Sequence, residues 1–156
     1  MAEVMVVTGA SRGIGAATAR LAAQRGYRVC VNYRRERDAA EALVRSIGGG
    51  AIAVAADVSS EADVLRLFET VDRQLGPVTA LVNNAGIVDA GTRVERISGE
   101  RLQRMFAVNV FGSFFCAREA VKRMSTRRGG KGGAIVNLSS IAAKLGGPGE
   151  YVDYAA

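Results

Sequence analysis

The sequence predicts an α/β domain built on a doubly wound parallel sheet, and three observations carry that prediction. Five short apolar runs have the length of strands, and they lack polar–apolar alternation, as expected of strands covered on both faces. Segments of helical period lie between the runs, so strand and helix alternate, the pattern of parallel strands joined by right-handed crossovers. With 156 residues, 49% hydrophobic and 23% charged, the chain has the length of one globular domain and not two.

The first run covers residues 4–8. A glycine-rich stretch and a helical segment at 18–25 follow, closed by Gly26, which suits the left-handed turn after a helix. A second run at 29–32 precedes a helix at 36–47, where Ala40, Leu43, Val44 and Ile47 form one stripe before Gly48. The third run is 51–56. The helix after it, 60–75, opens on a Ser60/Asp63 spacing like a capping box and carries Val64, Phe68, Val71 and Leu75 on one face. Beyond a fourth run at 78–83, one long helix is predicted over 98–124, with Leu102, Met105, Phe106, Val110, Phe114, Ala117, Val121 and Met124 at helical spacing. The fifth run, 134–138, follows a glycine-rich loop at 129–133.

Composition removes several chemistries. The chain has no histidine, so it can hold no Ser-His-Asp or Cys-His pair, no HExxH zinc site and no imidazole base. An acid or base must be Tyr, Lys, Cys, Asp or Glu, and no metal site is expected. Lys and Arg total 21 against 15 Asp and Glu, a net charge of +6, but the basic residues are scattered. Their densest stretch, 127–131, has no aromatics to stack bases and reads as a solvated loop, so no nucleic-acid partner is expected. Cys30 and Cys116, each inside an apolar run, read as buried thiols of a reducing compartment, the cytoplasm. The first residues show no leader-like pattern, and no apolar run approaches the ~18 residues that span a membrane.

Chemistry enters after the first strand, where Thr8 is followed by Gly9-Ala10-Ser11-Arg12-Gly13-Ile14-Gly15. Glycines between a strand and a helix allow a sharp turn, let a pyrophosphate approach, and aim the helix N-terminus at its charge. A tight turn can also need glycine for conformation alone. The spacing Thr-Gly-x-x-x-Gly-x-Gly resembles the cofactor fingerprint of the short-chain dehydrogenases/reductases, and the resemblance extends over the whole chain. Asp57-Val58 looks like the family's adenine-contacting pair, and Asn83-Asn84-Ala85-Gly86 like the motif that supports its central sheet. Asn109 resembles its catalytic-site asparagine, and Asn137-Leu138-Ser139-Ser140 the strand end that carries its catalytic serine.

The resemblance implies a Rossmann-like sheet of strand order 3-2-1-4-5 and a single NAD(P)-binding domain over 1–156, without the family's last helix and strands. It implies cofactor contacts from Thr8, Gly9, Ser11, Arg12, Gly13, Ile14, Gly15, Asn32, Tyr33, Arg34, Asp57, Val58, Asn84, Ala85 and Gly86. About 20 residues after such a turn, a carboxylate holds the ribose 2′-hydroxyl of NAD, whereas an arginine accommodates the 2′-phosphate of NADP. This chain has Asn32-Tyr33-Arg34-Arg35 there, with Arg12 in the turn itself, so NADP(H) is expected over NAD(H). The nearest carboxylate, Glu36, is expected to cap the next helix. A plainer reading leaves Arg12, Arg34 and Arg35 as solvated surface charges.

In the resembling family a tyrosine donates a proton to the reduced carbonyl and a serine orients that carbonyl. A lysine four residues after the tyrosine lowers its pKa, and an asparagine sustains a water relay. These roles fall to Tyr154, Ser140 and Asn109; Tyr151 fails the spacing, because Ala155 stands four residues after it. For Tyr154 the lysine position is two residues beyond Ala156. Plainer roles stay open: Asn109 bonding a neighbouring loop, Ser139 and Ser140 satisfying a strand end, Asn83 and Asn84 serving the scaffold.

Two functional readings result. In the first, the chain is the N-terminal part of an NADP(H)-dependent oxidoreductase that interconverts a small-molecule carbonyl and an alcohol. It forms a homo-oligomer, since in the family the long helix pairs with its copy in another subunit. Its tail resembles sugar dehydrogenases and 3-oxoacyl carrier-protein reductases, a likeness that fixes no substrate. In the second reading, it is a catalytically inactive dinucleotide-binding fragment or interaction module, lacking the lysine and the substrate segment.

Overall fold

Residues 3–156 are described by a computed structural model, in which strands and helices alternate as the sequence predicts. Met1 and Ala2, the start of the leader reading, lie outside the described residues. The strands are β1 (Val4–Val7), β2 (Arg28–Tyr33), β3 (Ile52–Ala55), β4 (Ala80–Asn83) and β5 (Ala134–Asn137). All pair in parallel, in the order β3-β2-β1-β4-β5 that the resemblance implies. The order reverses between β1 and β4. A crevice therefore opens at the C-terminal ends of these two strands, where sheets of this kind bind ligands.

The helices are α1 (Gly13–Gln24), α2 (Arg37–Ile47), α3 (Glu61–Gln74), α4 (Gly99–Phe106), α5 (Gly112–Met124), α6 (Ala142–Leu145) and α7 (Val152–Ala155). Alternate strand residues feed two cores. Val6, Cys30 and Leu81 pack beneath α3 and α5 with Leu67, Phe68, Val71, Cys116 and Ala120. On the other face Val7, Val29, Val31 and Val82 meet Ala19 and Ala22 of α1 and Ala40 and Leu43 of α2. Phe68 is fully buried in the first core. Phe68→Ala should cost about 3–5 kcal/mol of stability in urea unfolding, and a loss under about 1 kcal/mol would mean that the site collapses around the smaller residue.

Several expectations need correction. β5 is largely exposed rather than buried on both faces, because it is the edge strand among the described residues and α5 packs along it from one side. The long helix is not uniform, since residues Ala107–Phe111 form a π turn between α4 and α5. Its buried face is Met105, Val108, Gly112, Cys116, Ala120 and Met124, whereas Leu102, Phe114 and Val121 face outward. At Gly112 a Cβ would sit 2.8 Å from Val58 Cγ2 in the turn after β3, so the small residue turns inward there.

Ser60 caps α3, its Oγ accepting from Asp63 N at 3.3 Å. Asp63 does not complete the box; its Oδ2 accepts instead from Asp57 N at 3.0 Å. That bond, with one from Arg66, holds the Asp63 carboxyl below the usual carboxylate range. Glu36 stands at the start of α2, but its side chain makes no capping bond because its backbone is not in the extended cap conformation. Arg127, Arg128 and Lys131 are exposed, as expected of a solvated loop. No helix among the described residues is long and apolar enough to cross a membrane.

Both cysteines are buried, and burial raises both thiol pKa values, that of Cys116 to about 12 with a smaller contribution from Glu119. The folded state therefore holds these protons above the ordinary thiol pKa of ~8.5, where the unfolded state releases them, so both groups erode stability as pH rises through that range. A chromogenic disulfide should label neither thiol in the native chain at pH 8 and both in denaturant. Labelling at the rate of a free thiol without denaturant would contradict their burial.

Candidate active site

Sequence and backbone geometry build the crevice together. Gly9 has φ +59°, and a Cβ there would lie 2.8 Å from Ala85 Cα. At Gly15 a Cβ would meet Asn84 Nδ2 at 2.5 Å and Gly9 O at 2.8 Å. These glycines let the loop after β1 lie directly against the loop after β4. Gly13 differs: with φ +57° it has nothing within 4 Å of a Cβ position, which leaves open space over the start of α1.

Three buried or half-buried side chains fasten these loops. Thr8 Oγ1 accepts from Asn84 N and Ala85 N, both at 3.0 Å, and donates to Val82 O at 3.4 Å. Asn84 Nδ2 donates back to Thr8 O at 2.8 Å and Gly9 O at 3.0 Å. Asn32 Oδ1 accepts from Gly9 N at 3.1 Å while its Nδ2 donates to Ala56 O at 3.0 Å. Thr8, Asn32 and Asn84 thus shape the crevice mainly by holding backbone. Thr8 and Gly15 lie beneath it.

The other thirteen expected cofactor positions line one cavity of about 520 Å³, from Gly9 and Ser11–Ile14 through Asn32–Arg34 and Asp57–Val58 to Asn84–Gly86. At its rim Arg34 Nε pairs with Asp57 Oδ2 at 2.7 Å, and Asp57 Oδ1 accepts from Ser59 Oγ at 2.6 Å. Tyr33 is buried against the core beneath α1 and α2. Helix α1 has no side-chain cap and no acidic residue in its first turn, so no side chain claims its leading N–H groups. Open space at Gly13, an uncapped helix start and three lining arginines, Arg12, Arg34 and Arg35, fit a dinucleotide with its anionic phosphates.

A second cavity, about 380 Å³, brings together Asn109, Ser140 and Tyr154, and it shares Ile14 and residues 84–87 with the first. Asn109 sits in the π turn, a kind of bulge frequent at functional sites. Its side chain is engaged with the loop after β4: Nδ2 donates to Ile87 O at 2.9 Å and Oδ1 accepts from Ile87 N at 2.8 Å. Asn83 Nδ2 donates to Asn137 Oδ1 at 2.8 Å, joining the end of β4 to the end of β5, just before Ser140. Ser140 Oγ accepts from Ala142 N at 3.2 Å.

Two ion pairs, one at the first cavity and one beside the second, are not foreseen by spacing. One is Arg34–Asp57. The other joins Arg101 of α4 to Asp153, the residue before Tyr154, and it holds the Asp153 carboxyl below the usual range against the opposing effect of burial. Their partners are 23 and 52 positions apart, and the available signal is only that Asp57 is itself a candidate residue and that Asp153 directly precedes one.

Comparison with known proteins agrees with this geometry. The family model described as short chain dehydrogenase matches residues 3–156. The chain is 52% identical to "Uncharacterized oxidoreductase YgfF" of Escherichia coli (strain K12), covering 98% of this chain and 63% of that protein. It is 40% identical to the 3-oxoacyl-[acyl-carrier-protein] reductase of Synechocystis, over 96% of this chain and 60% of that one. A Serratia marcescens short-chain dehydrogenase/reductase, solved as a doubly substituted mutant, superimposes with a TM-score of 0.90 at 33% identity, covering 98% of this chain and 61% of the other. The chain therefore spans less than two-thirds of the length of each relative. Its strand order, its glycine-lined crevice and a family match across every described residue lead to one conclusion: the chain belongs to the short-chain dehydrogenase family.

Proposed function

We propose that the protein transfers hydride between NADP(H) and a small-molecule carbonyl or alcohol, with Tyr154 as general acid/base, Ser140 orienting the carbonyl and Asn109 serving a proton relay. The observation that supports this reading most is the adjacency of the two cavities: the one with Asn109, Ser140 and Tyr154 shares Ile14 and residues 84–87 as lining with the glycine-turn cavity.

A bound nicotinamide supplies the hydride chemistry. The chain's own residues do the rest. The start of α1 and the glycine turn would hold the pyrophosphate, and Arg12 and Arg34 the 2′-phosphate, with Arg34 exchanging its pairing to Asp57 for that anion. Ser140 Oγ–H donates to the substrate oxygen, stabilising the charge that develops there on reduction. The Tyr154 phenol then gives its proton to the alkoxide, and in the reverse direction its phenolate accepts the alcohol's proton. A tyrosine with its ordinary pKa of ~10 needs a neighbouring cation to do this near neutral pH. In the family that cation is supplied by a lysine four residues after the tyrosine. The Asn109 amide holds Ile87 and its main-chain carbonyl accepts from Ser113 Oγ at 3.3 Å, so a relay contact would use the remaining lone pair of one of its two oxygens.

Exposed Phe111, Phe114 and Val121 on the outer side of the long helix fit a homo-oligomer, and the buried thiols fit a reducing, cytoplasmic setting. The test is NADPH consumption by the full-length protein against a panel of ketones and aldehydes. Turnover is expected. Tight NADPH binding with no turnover on any member of the panel would favour the inactive dinucleotide-binding module instead.

A further inference from the structure

The acid at the rim of the larger cavity is fixed by one oxygen and presents the other. Asp57 Oδ1 accepts from Ser59 N at 3.0 Å and from Ser59 Oγ at 2.6 Å, and Asp57 N donates to Asp63 Oδ2 at 3.0 Å. The carboxylate is thus built into the turn after β3. Its second oxygen, Oδ2, pairs with Arg34 Nε at 2.7 Å. The arginine is the looser partner, its side chain 53% exposed against 22% for Asp57. A pair so open to water adds little to stability, and a long, solvated side chain can change partners at small cost.

Both residues line the same cavity, together with the apolar Val58, Ile87 and Val108. Apolar lining suits a flat base, whereas an exposed guanidinium suits a phosphate. Once Arg34 leaves for an anion, Oδ2 has lost its cation and stands as a charged acceptor near a newly bound negative charge. Such an acceptor needs an N–H donor. The adenine base of a dinucleotide carries one, its 6-amino group.

Resting on the reading of NADP(H) as the cofactor, we propose that Arg34 and Asp57 form an exchange pair that reads the 2′-phosphate and the adenine base together: the phosphate draws Arg34 away, and the Asp57 Oδ2 so released accepts from the 6-amino group. With NADH no phosphate competes for Arg34, so Oδ2 stays neutralised by the guanidinium and the amino group gains little from it. Neither contact alone sets the preference for NADP(H); their linkage does. By reciprocity, the amino group strengthens the binding of the phosphate by the same factor as the phosphate strengthens that of the amino group.

The test is a binding titration of the full-length protein with NADPH, NADH and the hypoxanthine form of each, in which an oxygen replaces the 6-amino group. The replacement should weaken NADPH roughly 10- to 100-fold, as loss of a hydrogen bond to a charged acceptor does, and NADH no more than about 3-fold. A loss for NADH as large as that for NADPH overturns the exchange alone. NADPH binding no tighter than NADH overturns the cofactor reading and the exchange with it. Arg34→Gln leaves Oδ2 without its cation whichever cofactor binds, so NADH should now suffer the larger loss as NADPH does. Asp57→Asn keeps an oxygen for Ser59 and removes the charge, so both cofactors should suffer only the smaller loss. A difference between the cofactors that persists in either variant overturns the proposal, and if Asp57→Asn does not fold, the exposed Arg34→Gln decides.

Discussion

Tyr154→Phe in the full-length protein should lower kcat by roughly 10²- to 10⁴-fold, the contribution of one well-placed general acid/base. The substitution removes one oxygen and keeps the ring, so the half-buried packing of the turn should survive. Tyr154 lines the second cavity and not the glycine-turn cavity, so the affinity for NADPH should stay as it was. Steady-state kinetics and a fluorescence titration of NADPH read the two quantities separately. Tyr151→Phe is the matched comparison: its ring lies against Gly91 rather than in the Tyr154 cavity, and it should turn over normally. If the two variants lost activity equally, the proton would have to come from elsewhere.

Arg34→Glu should reverse the cofactor preference. Arg34 is half exposed at the rim of the larger cavity, where it can leave Asp57 for a phosphate at small cost, since exposed ion pairs contribute little. Losing one charge-assisted contact to the 2′-phosphate should weaken NADPH binding roughly 10- to 100-fold. The new carboxylate supplies an acceptor for the 2′-hydroxyl of NADH, as sites that prefer NAD do. It would also stand beside Asp57, and that repulsion adds to the rejection of a phosphate. Titrations of both cofactors against both proteins measure the ratio. Equal affinity of the unmodified protein for NADPH and NADH would remove the arginine argument altogether.

Much of this architecture is legible in the sequence because period and punctuation are local. The five strands and the helices over 37–47 and 61–74 lie within a few residues of their predicted places, since apolar spacing and terminal residues such as Ser60 and Gly48 mark them directly. Helix α1 starts at Gly13, earlier than the periodicity implies, because a glycine-rich first turn carries no apolar pattern. Helix α6 is four residues long, barely one turn, and no period can register in so short a span. The exposure of β5 depends on what lies beside it and not on its own apolar residues. At the site, motif order places the glycine turn, Asn109, Ser140 and Tyr154 around one pair of cavities. Which atoms of those residues are already engaged is different information. That the Asn109 amide holds Ile87, or that Arg101 holds Asp153, depends on three-dimensional approach over 22 and 52 residues, and spacing does not encode it.

The hydroxyl of Thr8, accepting two amide protons from the neighbouring loop, also bears on the time course of ligand capture. Because the loops after β1 and β4 are mutually fastened, neither has to fold around an arriving dinucleotide. Association then requires little ordering of the protein, so the entropic penalty falls on the ligand and its solvent. Encounter should proceed in one kinetic phase, at a rate set by collision and charge rather than by a slow rearrangement of the glycine turn.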